Sequence, residues 1–101
     1  VKLRKQLNTP RDQYLRRTYG ITEAIYQCML RVHEGRCWIC EGLPKHNRNL
    51  HVDHDHKTGQ VRGLLCWLCN KKLIGRHRRE HVEKFIRAGQ YLACTKDWRE
   101  V

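Results

Sequence analysis

Between Leu50 and Gln60 the chain reads LHVDHDHKTGQ, which sets three histidines and two aspartates within the six positions 51 to 56. These residue types suit metal binding or proton transfer. Asp53 and Asp55 offer hard carboxylate oxygens, and His51, His54 and His56 offer imidazoles that take up a proton near neutral pH. Cys37-Trp38-Ile39-Cys40 precedes this stretch and Cys66-Trp67-Leu68-Cys69 follows it, giving C-x2-C-x25-C-x2-C. Two residues between thiolates let one tight turn direct both sulfurs at a single ion, and two such turns complete a tetrahedral site. Closure by four thiolates leaves no position for water or substrate, so a Zn2+ held by Cys37, Cys40, Cys66 and Cys69 is expected to be structural. The competing reading, a pair of disulfides, lacks the secretory context that disulfides need. Directly after the last cysteine comes Asn70. Its amide oxygen and the Asp53 carboxylate are a candidate ligand pair for one catalytic Mg2+ or Mn2+.

The elements that position these groups are legible from local signals. Thr9-Pro10-Arg11-Asp12 predicts a helix start, with a capping hydroxyl, Pro at the first helical position and an acid in the first turn, and Gly20 ends that helix. Thr22 caps a second helix, with Ile21 placed to staple against Tyr26. It is expected to run to about Gly35, burying a stripe of Ile25, Cys28, Met29 and Val32. On that reading Cys28 is a small core residue, and Cys28 and Cys94 both stay outside the metal site. Residues 50–53 and 60–64 flank the turn Lys57-Thr58-Gly59-Gln60 as two short strands of a hairpin. A helix is expected from about Trp67 to Gly75, and another from His81 to Ala88, with Val82, Phe85 and Ile86 on one face and Gly89 as its stop. Tyr91, Leu92 and Trp98 suggest a tail that packs back on the domain.

A mean hydropathy of −0.81 with 31% charged residues leaves few apolar side chains in a chain of 101 residues. The core is expected to be thin, and bound zinc would make up the deficit, because metal-binding free energy becomes folding free energy. With 21 Lys and Arg against 10 Asp and Glu, the net charge of +11 points to an anionic partner, DNA above all. No apolar run approaches the ~18 residues of a membrane span, and the start has no signal-type stretch, so no membrane partner and a cytoplasmic location are expected. Lys71, Lys72, Arg76, Arg78 and Arg79 lie close to Asn70 and suit phosphate positioning rather than base reading. Lys2, Arg4, Lys5, Arg11, Arg16 and Arg17 form a second basic group, either for DNA or as a solvated helix face.

Asp53-His54, a turn, and Cys66-Trp67-Leu68-Cys69-Asn70 resemble the HNH, or ββα-metal (His-Me finger), nuclease motif. Residues 50–56 and 59–66 resemble more specifically the recombination endonuclease VII family of phages and bacteria. Tyr19-Gly20-Ile21-Thr22, Tyr26, Met29-Leu30 and Gly35-Arg36-Cys37-Trp38-Ile39-Cys40 resemble that family's lead-in. The resemblance covers about residues 14 to 75, with a weaker echo to Leu92.

It implies a small α+β fold: a ββα-metal core stapled by a four-cysteine structural zinc, with flanking helices. The chain 1–101 would then be one nuclease domain, with N-terminal helices in 10–35, the zinc and ββα core in 36–75 and a C-terminal helical segment in 77–101. The resemblance makes Asp53 and Asn70 the catalytic metal ligands and His54 the general base, with cleavage leaving 5′-phosphate and 3′-hydroxyl ends. His56 either contacts the metal or phosphate or shapes the loop. His51 supports the site, Asp55 orients a histidine or caps the turn, and Arg62 holds a phosphate or sits on the hairpin surface. A regular strand would send Asp53 and His54 to opposite faces, so the strand is expected to end or bulge at Asp53 and let them converge.

The function expected is a divalent-metal-dependent DNA endonuclease that nicks or cuts duplex DNA with little sequence specificity, in a bacterial or phage-infected cell. Family members that resolve branched DNA carry a longer C-terminal region, so a dimeric junction resolvase is the second reading. A zinc-dependent nucleic-acid-binding module without catalysis is the third. Monomer and homodimer both stay open.

Overall fold

Local capping signals set the N-terminal third of the molecule, a computed structural model whose described residues are 9–45 and 48–94. Helix α1 spans Pro10–Tyr19, with the Thr9 hydroxyl accepting from the Asp12 N–H at 3.0 Å. Gly20 closes it in the left-handed region, φ +73°, where its N–H reaches the Arg16 carbonyl. Helix α2 spans Glu23–Val32, with Thr22 accepting from the Ile25 N–H at 3.0 Å. It stops short of Gly35, whose N–H instead satisfies the Leu30 carbonyl at 2.8 Å.

The face that α2 buries differs from the expected stripe. Ile25 is 45% exposed, Val32 is 65% exposed, Cys28 faces solvent, and Met29 is only partly covered. The buried residue is Tyr26, with Met29 and Leu30 packed beside it. Ile25 and Tyr26 lie about 100° apart on a helix, so periodicity alone accommodates either. The choice falls to a tertiary bond: the Tyr26 hydroxyl donates to the Leu50 carbonyl at 2.8 Å and hangs α2 on the hairpin.

Asp12 fixes α1 to α2. Its fully buried carboxylate accepts from the Glu23 N–H at 2.7 Å, the first turn of α2, and from Arg16 Nε at 2.7 Å. The Glu23 N–H is the main cause holding the Asp12 carboxyl below its ordinary range; burial opposes it and Arg16 assists.

The sheet is a single antiparallel pair, β1 (His51–His54) and β2 (Val61–Leu65), each shifted by one residue from the expected strands. The pairing runs His51 with Leu65, Val52 with Leu64 and Asp53 with Gly63, then skips Arg62 to join His54 with Val61. The irregularity falls between Asp53 and His54, but the extra residue, Arg62, lies on β2 and not on the strand that carries Asp53, which was the one expected to end or bulge. After β2 a π-helical turn, Cys69–Ile74, replaces the ordinary helix predicted there, with the Gly75 N–H bonding the Asn70 carbonyl five residues back. A 3-10 turn at Arg79–His81 leads into helix α3, Val82–Ala93.

Gly89 does not stop that helix. A Cβ there would meet nothing within 4 Å, so the glycine sits in a solvent-facing turn that the chain tolerates. Nor do Tyr91 and Leu92 pack back: they are 73% and 83% exposed. Trp98 lies outside the described residues, as do Lys2, Arg4 and Lys5.

The core is thin, as the composition implied. It comprises Leu15, Ile21, Tyr26, Cys37, Leu50, Val52, Leu64, Leu65 and Cys69, drawn from α1, α2, the hairpin and the two cysteine pairs. The architecture is a small α+β fold with a two-stranded sheet. Among the described residues no helix is long and apolar enough to cross a membrane.

Candidate active site

The four cysteines form the frame. Their Sγ atoms all lie within 4.8 Å of one another, with Cys40 and Cys66 3.8 Å apart. Sulfurs held at ~2.3 Å from a tetrahedral Zn2+ are about 3.8 Å from each other, so this donor set could hold a structural zinc. Backbone N–H groups already serve the sulfurs: Ile39 donates to Cys37 at 3.5 Å and Gly42 to Cys40 at 3.4 Å. Burial would raise the Cys37 thiol, but N–H groups of Cys66, Cys40 and Ile39 outweigh it and bring the group down to about 6. Burial pushes Cys69 the other way, up, with the neighbouring sulfurs adding to it.

The first knuckle hangs on β2 through Trp38 N–H to the Leu64 carbonyl, 3.0 Å. The second continues from β2 directly into the π-turn, so the frame holds the hairpin and Asn70 together. Asn70 N–H bonds the Cys66 carbonyl at 2.9 Å.

Two separate cavities flank these elements. One, of about 340 Å³, brings together His51, His54, His56 and Asn70, with Lys71 and Arg76 at its rim. His54 is clasped between two rings: Tyr19 from the end of α1 at 5.6 Å and His56 at 4.6 Å between centroids. Burial, followed by the charges of His54, Arg76 and Arg62, holds the His56 imidazole below its ordinary value. Burial, with Lys71 and Arg48, does the same to His51. Both rings are therefore held toward the neutral form in a cleft whose fixed charges are cationic.

The other cavity, of about 610 Å³, is bounded by Trp38, Asp53, Arg62, Leu65, His77 and Phe85. Asp53 is buried here, and its carboxylate takes a bidentate pair from Arg62 (Nε to Oδ2 2.8 Å, Nη2 to Oδ1 3.1 Å). Arg62 Nη1 also donates to the His77 carbonyl at 2.8 Å. Arg62 thus binds the hairpin to the segment before α3 instead of sitting free on the hairpin surface. The bulge is present, yet Asp53 and His54 line different cavities. Only Asn70 of the two proposed metal ligands shares a cleft with the histidines.

Asp55 caps the turn. Its Oδ1 accepts from the N–H groups of Lys57 (2.8 Å) and Thr58 (3.0 Å), which keeps its carboxyl below the ordinary range. Among the basic residues, Lys71 and Arg76 line the histidine cleft and Lys72 sits 5.7 Å from the Trp67 ring. Arg78 is paired with Glu80, and Arg79 borders the larger cavity. In the N-terminal group Arg11 and Arg16 are spent on Glu23 and Asp12.

Tyr19 forms a wall of the histidine cleft that local sequence pattern does not reveal. Its signals are its place beside the Gly20 break and its part in the family-like Tyr19-Gly20-Ile21-Thr22, neither of which gives it a role in the cleft, because contact between α1 and the hairpin is long-range.

The recombination endonuclease VII family model matches residues 12–94. The chain belongs to the recombination endonuclease VII family. The "Gene 59 protein" of Mycobacterium phage D29 is 48% identical over 75 residues, which cover 74% of this chain and 45% of that protein. The "Gene 59 protein" of Mycobacterium phage L5 is 49% identical over 75 residues, with the same coverage. The chain therefore spans about half the length of these relatives. No solved structure gives a significant match. In this endonuclease VII family chain the matched region takes in both cysteine pairs, the hairpin and Asn70.

Proposed function

We propose that the chain is one HNH-type (ββα-metal, His-Me finger) nuclease domain that hydrolyses phosphodiester bonds of duplex DNA, nicking or cutting with little sequence specificity. The observation that carries the reading is the cleft that joins His54, His56 and Asn70 beneath the cationic rim of Lys71 and Arg76. Family membership and the phage relatives support DNA as substrate and a bacterial or infected host cytoplasm as the place of action.

In this reading His54 accepts the proton of a water, whose oxygen attacks phosphorus as the bond to the 3′ oxygen breaks. The departing oxygen takes up a proton, leaving 3′-hydroxyl and 5′-phosphate ends. The Tyr19 and His56 rings hold the His54 imidazole in place. Lys71 and Arg76, joined by Lys72, Arg78 and Arg79, position the DNA through its phosphates.

Asn70 would offer its amide oxygen to Mg2+ or Mn2+ in the histidine cleft. Asp53, which lines the other cavity in its pair with Arg62, would have to turn toward that cleft to join it. A carboxylate held by one guanidinium keeps lone pairs on both oxygens, so Asp53 can serve Arg62 and an ion together. When bound, such an ion supplies stabilisation of charge on the scissile phosphate and on the departing oxygen.

The test is supercoiled plasmid incubated with zinc-loaded protein in Mg2+, in Mn2+ and in neither, alongside His54→Ala and Asn70→Ala. Nicking that needs the divalent ion and drops by about 100-fold or more in either variant is expected, the scale of a lost general base. Binding without nicking under every metal would replace this reading with a non-catalytic binding module. A four-way junction cut much faster than linear duplex would move it to a dimeric resolvase.

A further inference from the structure

The two knuckles carry a tryptophan at the same place, after the first cysteine of each pair, and the fold treats them differently. Trp38 is half-buried and rests on Gly63. Trp67 is 42% exposed, and its neighbour Leu68 is 53% exposed. Both line an open slot of about 430 Å³, together with Leu43, Pro44 and three of the clustered cysteines, Cys40, Cys66 and Cys69, so the slot adjoins the sulfur site. Lys45 and Arg48 border the slot, Lys72 Nζ lies 5.7 Å from the Trp67 ring centroid, and among the described residues no Asp or Glu lines it. Asn49 adds an amide that can both donate and accept. His51 forms part of this slot and part of the histidine cleft, so the two share a wall.

Building on the nuclease reading, we infer that this slot is a second nucleotide subsite: it takes one base lifted out of the DNA stack, beside the phosphate held in the histidine cleft. An aromatic face, apolar neighbours and a cationic border are what a heteroaromatic ring attached to a phosphate requires. An apolar peptide would need the walls but not the rim, and an acidic one would need the rim but not the aromatic face. The subsite makes the domain respond to how readily a base leaves the stack, in addition to phosphate geometry.

The experiment compares a duplex carrying one unpaired adenine with the same duplex in which that nucleotide is abasic. Both are titrated with zinc-loaded protein and no other divalent ion. Binding of the abasic duplex is expected to be about tenfold weaker, within the range that stacking one base on an aromatic side chain supplies. Trp67→Leu is expected to bring the two affinities together and Trp67→Phe to keep most of the difference, with zinc content checked by a chromogenic chelator. In the unaltered protein, 2-aminopurine in place of the adenine reads the slot without any substitution, and its fluorescence is expected to fall on binding.

Equal affinities for the two duplexes, unchanged 2-aminopurine fluorescence, or a difference that survives Trp67→Leu would each overturn the subsite and leave the slot to a protein partner. If plasmid nicking persists in that case, only this inference is lost. Failure to bind any duplex and to nick plasmid overturns the nuclease reading along with it.

Discussion

The indole of Trp38 occupies the space that a side chain at Gly63 would need: a Cβ built there lies 2.5 Å from Trp38 Cε3. Asp53 pairs with Gly63 in the hairpin, and the Trp38 N–H bonds the next residue, Leu64. One glycine therefore seats the first knuckle on the strand opposite Asp53. Gly63→Ala is expected to destabilise the fold by ~1–3 kcal/mol, the cost of overpacking, and to weaken zinc retention as the knuckle is pushed off β2. Thermal melts and zinc content check it, and an unchanged midpoint would show that Trp38 can move aside freely.

Zinc removal is expected to abolish cooperative unfolding, since among the described residues the core proper is nine side chains, two of them cysteines. Cys69→Ser should act alike, and circular dichroism with and without chelator is the measurement. Ligation needs thiolates, so zinc affinity is expected to fall with pH. The backbone N–H groups that bring Cys37 down to about 6 favour its thiolate for ligation.

Arg62→Leu would leave the Asp53 carboxylate buried without its partner, a change that costs roughly 3–5 kcal/mol. Arg62→Lys is expected to restore only part, because an ammonium lacks the fork that serves both carboxylate oxygens while reaching the His77 carbonyl. Urea unfolding of the two variants decides this.

Asp12 makes stability depend on acid. Its folded value lies below its ordinary one, so its contribution is present above about pH 4 and is lost as pH falls through the lowered value. Asp12→Asn is expected to lower the melting temperature at neutral pH and flatten its decline on the acid side. A parallel decline in both proteins would mean that other carboxylates dominate.

Gly89→Ala meets open space in the middle of α3 and should stabilise that helix by up to ~1 kcal/mol. The gain should show as added helicity by circular dichroism.

What local chemistry decides was legible in the sequence. Thr9, Thr22 and Gly20 punctuate α1 and α2 as expected because caps act within one turn, and the cysteine spacing foretold the sulfur cluster. Strand alternation led to the expectation that Asp53 and His54 converge, yet the extra residue sits on β2 and the two line different cavities. What depended on distant partners was not legible. Tyr26 wins the buried face of α2 through the Leu50 carbonyl, 24 residues away. Asp12 looks like an ordinary first-turn acid until the start of α2 is seen resting on it. Arg62 reads as a phosphate holder or a surface cation until Asp53 and His77 are found on either side. Gly89 reads as a stop, yet the helix passes through it, since an exposed glycine weakens a helix without breaking it.

Helix α3 contributes no buried residue, while among the described residues every buried core side chain lies between 15 and 69. Opening is then expected to divide the chain in two. The unit closed by the sulfurs opens only when the whole fold opens, whereas the far turns of α3 can fray and re-form alone. Amide hydrogens near Tyr91 are accordingly expected to exchange on a clock set by the helix's own propensity, and those of β1 and β2 on one set by opening of the sulfur-closed core.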